Sequence, residues 1–95
     1  HKLVKFINGI TSLGFKPISL VIDTSGKEIL YLNHNLDEST PEIIFQTSNN
    51  FDKILSNLSA AMNTTKFSNE ITSRYNTLQY IDLRFNNKVL FKFIE

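Results

Sequence analysis

Residues 80–93, YIDLRFNNKVLFKF, contain two stretches of alternating apolar and polar side chains that flank the polar pair Asn86-Asn87. A period of two is typical of half-buried strands, and a polar turn between two such stretches predicts a β-hairpin. Because the hairpin closes the sequence, we expect its second strand to lie at the edge of a sheet. The unpaired backbone groups of such an edge can bind a partner strand.

Two registers are open for this hairpin. A two-residue turn at Asn86-Asn87 would place Asp82 and Arg84 on the face that carries Phe91 and Phe93. A three-residue loop, 86–88, would instead pair Phe85 with Val89, Leu83 with Phe91, and Ile81 with Phe93, with Asp82 beside Lys92 on the outer face. Burying a large apolar side chain stabilises by roughly 1.5 to 3 kcal/mol, well above an exposed ion pair. We therefore predict the three-residue loop, which leaves Leu90 and Ile94 pointing outward.

The rest of the sequence predicts an α+β domain. Apolar residues recur at helical spacing over residues 3–13 and 51–62, and more weakly from about Ser68 onward. Strands are expected over 18–23 and 28–33, around a polar turn that contains Gly26, and again over 42–46. We predict one domain, residues 1–95, with a mostly antiparallel sheet and a C-terminal β-hairpin, covered by two or three helices.

Composition excludes several classes of function. A length of 95 residues allows one modest core, and a net charge of +1 with dispersed basic residues gives no basis for nucleic-acid binding. The absence of cysteine excludes disulfides and thiolate chemistry. No apolar run reaches the roughly 18 to 20 residues that cross a bilayer. Helical patterning already begins at Lys2, which indicates a fragment of a longer chain.

Catalytic patterns are missing from the sequence. Gly9, Gly14 and Gly26 are too scattered to form a phosphate-binding loop, and His34 has no second histidine at metal-ligand spacing. We predict no catalytic residue, no metal, no cofactor and no small-molecule substrate. An enzyme would need an open cleft in which polar groups converge around Asp23, His34 or Asp82.

The order of elements resembles that of the β domain of the bacterial cell-division family FtsQ, also called DivIB. The resemblance runs through a helix closed by Gly14, the hairpin VIDTSGKEILYL at 21–32, a short strand, the helix around FDKILSNL at 51–58, and the C-terminal hairpin. It is strongest in the letters YIDLRF at 80–85. This resemblance covers nearly the whole chain by element order, but only the final hairpin by sequence.

The resemblance implies a noncatalytic scaffold of the divisome. It implies a domain on the extracytoplasmic side of the cell membrane, within a protein anchored by one transmembrane helix and carrying a small POTRA domain. The implied partners are coiled-coil division proteins of the FtsB and FtsL type, bound by strand addition. The implied binding residues are Arg84, Phe85, Val89, Leu90, Phe91, Lys92 and Phe93. The alternative is a self-associating structural module of a secretion or pilus apparatus, which would use its helix-covered face.

Overall fold

A computed structural model describes residues 2–33, 40–85 and 87–94. Helix α1, Lys2–Ser12, leads into the hairpin of β1, Pro17–Ile22, and β2, Lys27–Leu32. After β3, Glu42–Gln46, come two helices, α2, Phe51–Met62, and α3, Thr65–Ser73. A short 3₁₀ turn, Tyr75–Thr77, then leads into β4, Leu78–Asp82, and β5, Leu90–Phe93.

The five strands form one sheet in the order β1-β2-β3-β4-β5. Three of the four pairings are antiparallel, while β3 and β4 run parallel because α2 and α3 connect them. The predicted α+β class, the mostly antiparallel sheet, the C-terminal hairpin and the covering helices are confirmed. The predicted third strand, 42–46, agrees with β3 at both ends.

Local capping sets the helix boundaries. Gly14 has a φ of 102°, so α1 ends where only glycine adopts the left-handed conformation without strain. The Asn50 side chain accepts a hydrogen bond from the Lys53 N–H and starts α2. The Thr64 side chain accepts one from the Phe67 N–H, so α3 begins at Thr65, three residues earlier than periodicity alone predicted.

The helices cover one face of the sheet. Residues that lie opposite one another in neighbouring strands form a row across this face: Leu20, Leu30, Ile43, Ile81 and Phe91. The rings of Phe6 on α1 and Phe51 on α2 pack 4.8 and 5.6 Å from the fully buried ring of Phe45 on β3. Glu28 is also buried, and its Oε1 has no hydrogen-bond partner among the described residues.

None of the three helices packs on the opposite face, which we call the open face. A second row runs across it: Val21, Ile29, Ile44, Asp82 and Leu90. Ile44 is buried at 7% exposure but stands apart from the hydrophobic core of the helical side. Ile44 is therefore buried although no described helix covers it.

The predicted register of the C-terminal hairpin is wrong by two residues. Ile81 lies opposite Phe91 rather than Phe93, and Asp82 lies opposite Leu90 rather than beside Lys92. The ladder ends at that pair, so the connection is longer than the expected three-residue loop. A slip of two residues keeps every side chain on its face, and Phe93 and Leu83 are buried as predicted. Leu90 and Ile94 are exposed at 39% and 48%, also as predicted.

Candidate partner-binding edge

Strand β5 forms one edge of the sheet, and no other described strand pairs with its outer side. The Ile94 N–H donates to the Thr77 carbonyl at 2.6 Å, and directly after β4 the Leu83 N–H donates to the Ile44 carbonyl of β3 at 2.8 Å. Backbone groups alternate in direction along a strand. Leu90 and Lys92 therefore direct their N–H and C=O groups toward β4, while Phe91 and Phe93 direct theirs to the outside.

The side chains of β5 divide between the two faces. Leu90 and Lys92 are exposed on the open face. Phe91 points to the helical side, where its ring packs edge-on against Phe67 of α3, with centroids 4.8 Å apart. Phe93 is buried beneath the guanidinium of Arg74, which lies 4.1 Å from the ring centroid. The aromatic side chains thus anchor β5 to the core, and the strand presents a fixed backbone at its edge.

Arg84 and Phe85 lie in the connection after β4, and Val89 lies just before β5. Val89 is half-buried and packs against the core. Phe85 is 40% exposed, with the Lys88 ammonium 5.2 Å from its ring centroid. The seven predicted binding residues therefore fall into an edge strand, a neighbouring loop and, for Phe93, the core.

An ion pair ends β4 on the open face. The Arg84 Nη2 lies 2.7 Å from Asp82 Oδ2, Nε lies 3.0 Å from Oδ1, and the Arg84 backbone N–H also donates to Oδ1. Burial alone would raise the pKa of the Asp82 carboxyl, but these hydrogen bonds and the positive charge keep that pKa below its usual value. Asp82 is only 5% exposed, so Arg84 supplies most of the polar contact that water would otherwise give.

We expect Arg84→Met to lower the free energy of unfolding at pH 7 by about 1–3 kcal/mol, because a buried carboxylate loses its partner. In the wild type, the pKa of Asp82 is lower in the folded state than its ordinary value of 3.8. The resulting contribution to the free energy of unfolding is fully present above pH 3.8 and is lost as the pH falls through the folded-state pKa. In the variant, the buried Asp82 carboxyl takes up a proton at a higher pH than in the wild type. Protonation removes the cost of burying an unpaired negative charge. The difference in the free energy of unfolding between the wild type and Arg84→Met should therefore shrink toward zero below pH 3.8.

Urea denaturation at several pH values between 7 and 3 measures this difference. Lys53→Met on α2 is the matched control, since it removes one exposed positive charge that is not among the causes of the lowered pKa of Asp82. A loss of stability in Arg84→Met that stays constant over the whole pH range would rule out the ion pair as its cause.

The polar residues considered for catalysis have structural roles or lie outside the described residues. Asp23 accepts hydrogen bonds from the Ser25 and Lys27 amides in the β1–β2 turn, and Asp82 binds Arg84. His34 is not among the described residues. Two surface cavities, of ≈ 490 and ≈ 390 Å³, include neither aspartate in their walls. Within the described ranges, no three His, Cys, Asp or Glu side chains are grouped so that they could hold a metal ion.

Two supporting features of the edge were missed by the sequence reasoning. Arg74 and Phe67, which hold Phe93 and Phe91 in place, lie in the weakly periodic segment 63–77. The spacing of Phe67 and Ile71 on one face of α3 was the available signal.

No described helix has both the length and the apolar character needed to cross a membrane. No known family model and no curated protein sequence matches the chain.

Proposed function

We propose that this domain is a noncatalytic protein-interaction scaffold of the FtsQ/DivIB type, and that a partner binds by adding a strand to the outer edge of β5. The observation that carries the proposal is the outward direction of the Phe91 and Phe93 backbone groups on a strand whose side chains are anchored in the core. Main-chain hydrogen bonds to such an edge give affinity, and alternate side chains give selectivity.

The side chains around β5 favour a particular kind of incoming strand. Leu90 and Ile94 are exposed and offer apolar contact beside the edge. Lys88 and Lys92 are the only ionisable side chains of residues 87–94. An incoming segment that combines apolar residues with acidic ones would match this surface, because opposite charges steer association and fix the register.

The resemblance of residues 80–93 to the division family supplies the identity of the partner. On that basis the partner is a coiled-coil division protein of the FtsB or FtsL type. The domain would then lie on the extracytoplasmic side of the cell membrane, within a single-pass membrane protein. The alternative, a self-associating module of a secretion or pilus apparatus, has less support: on the described helices, Val4 is the one large apolar side chain with strong exposure.

An NMR titration with amide resolution tests the proposal. The ligand is a peptide from the membrane-proximal end of an FtsB-type protein, and a scrambled peptide of the same composition is the control. We expect shifts concentrated on residues 84–94 with the cognate peptide alone. No shift with the peptide in large excess over the folded domain, or shifts confined to the helices, would overturn the proposal.

A further inference from the structure

The other edge of the sheet, β1, has a different character from β5. Ile18, Val21 and Ile22 are exposed at 56%, 49% and 55%, the densest group of exposed large apolar side chains among the described residues. The six residues of β1, PISLVI, include no charged side chain. Natural edge strands are commonly protected by charges or proline, since an apolar edge recruits other strands.

No other described strand pairs with the outer side of β1 over its C-terminal half. The Asp23 N–H donates to the Lys27 carbonyl at 3.0 Å, so residue 23 faces β2. By alternation, Val21 also faces β2, and Leu20 and Ile22 direct their N–H and C=O groups outward. Pro17 and the irregularity between Pro17 and Ser19 interrupt the N-terminal half. The available edge is therefore short, so its contact should be weak.

Charges at the two ends of β1 are opposite in sign. Lys16 precedes the strand and Asp23 follows it, and both are exposed. The Ser25 hydroxyl donates to the Asp23 carboxylate at 2.6 Å and is the main cause of its lowered pKa, so Asp23 is ionised at neutral pH. In an antiparallel pair of two β1 strands, Lys16 of each copy lies near Asp23 of the other copy.

We propose that β1 binds β1 of a second copy of this chain, antiparallel and about a two-fold axis at Leu20, to give a continuous ten-stranded sheet. Such a contact uses the same surface on both copies and closes as a dimer. At β5 the same arrangement, with its axis at Phe91, would bring the Lys92 side chains of the two copies near each other, and like charges would oppose it. The dimer thus leaves both β5 edges at its far ends for another partner, and it does not depend on the proposed function.

Disulfide trapping tests this register, because the chain has no cysteine of its own. Ser19 would lie opposite Val21 of the second copy at a non-hydrogen-bonded site, with Cα atoms about 4.5 Å apart, which a disulfide can bridge. Two identical positions, 19 with 19 or 21 with 21, would lie about 8 Å apart and could not be bridged. A mixture of Ser19→Cys and Val21→Cys chains in a glutathione buffer should therefore give at least fivefold more covalent dimer than either variant alone.

Lys16→Glu in both chains should lower the yield of covalent dimer about tenfold, since two attractive charge pairs become repulsive. A mixture of Val21→Cys with Lys92→Cys is the control for an open-ended contact between β1 and β5. The proposal is overturned by faster trapping in that control, by equal trapping in all samples, or by no covalent dimer at a chain concentration near 1 mM. A peptide bound at β5 should leave the yield unchanged, so failure at one edge is distinguishable from failure at the other.

Discussion

N-methylation of the Phe91 amide should weaken binding of the partner peptide by about 100-fold or more, with the domain still folded. The Phe91 N–H points away from β4, so the change removes no hydrogen bond of the domain itself. The methyl group occupies the position that a carbonyl of an incoming strand must take, and one donor is lost as well. Semisynthesis of the C-terminal segment introduces the group, and calorimetric titration measures the affinity.

N-methylation of Lys92 is the matched control, because its N–H points toward β4. This variant should lose stability through the β4–β5 ladder, visible as a lower urea midpoint, while the Phe91 variant keeps the wild-type midpoint. Unchanged peptide affinity in the Phe91 variant would show that the outer edge of β5 is not where the partner pairs.

Phe45→Ala should cost about 3–5 kcal/mol in the free energy of unfolding, the largest effect we expect from one substitution. Phe45 is fully buried on β3, and the rings of Phe6 and Phe51 contact it from α1 and α2. Small domains have total stabilities of only about 5–15 kcal/mol, so this loss is a large fraction of the total and the urea midpoint of the variant should fall steeply.

Urea unfolding followed by circular dichroism measures this cost. Val4→Ala on α1 is the control, because the Val4 side chain is 55% exposed and its truncation should change stability by no more than about 0.5 kcal/mol. Equal stabilities for the two variants would show that the aromatic cluster does not join the helices to the sheet.

The hydrophobic pattern predicted which faces of the hairpin are buried, but it could not predict the pairing. A shift of two residues leaves every side chain on its own face, so alternation alone does not distinguish the registers, although Phe85, which was expected to pair with Val89, is 40% exposed in the connection. The choice between the two registers depends on local hydrogen bonds, which cannot be inferred from the hydrophobic pattern. Arg84 folds back on Asp82 through both its side chain and its backbone N–H, which stops β4 at Asp82.

The candidate binding edge was partly predictable from the same hydrophobic pattern. The exposure of Leu90 and Ile94 follows from alternation, and the outer position of β5 follows from its place in the strand order. The support of β5 by Phe67 and Arg74 depends on α3, whose first turn is set by the Thr64 cap. The burial of Glu28 opposite Phe45 was not predictable, because a charged residue at the start of a strand is usually exposed.

The parallel pairing of β3 with β4 has a consequence for the order in which the domain folds. Both hairpins close over short stretches of chain, whereas β4 reaches β3 only after α2, α3 and the 3₁₀ turn have been placed between them. Closing a long loop costs entropy that later contacts must offset, so such pairings slow folding. We expect the β1–β2 hairpin to form early and the β4–β5 hairpin to join the sheet late. A chain caught before that step has no anchored β5 edge, so the strand addition that we propose would require a completely folded domain.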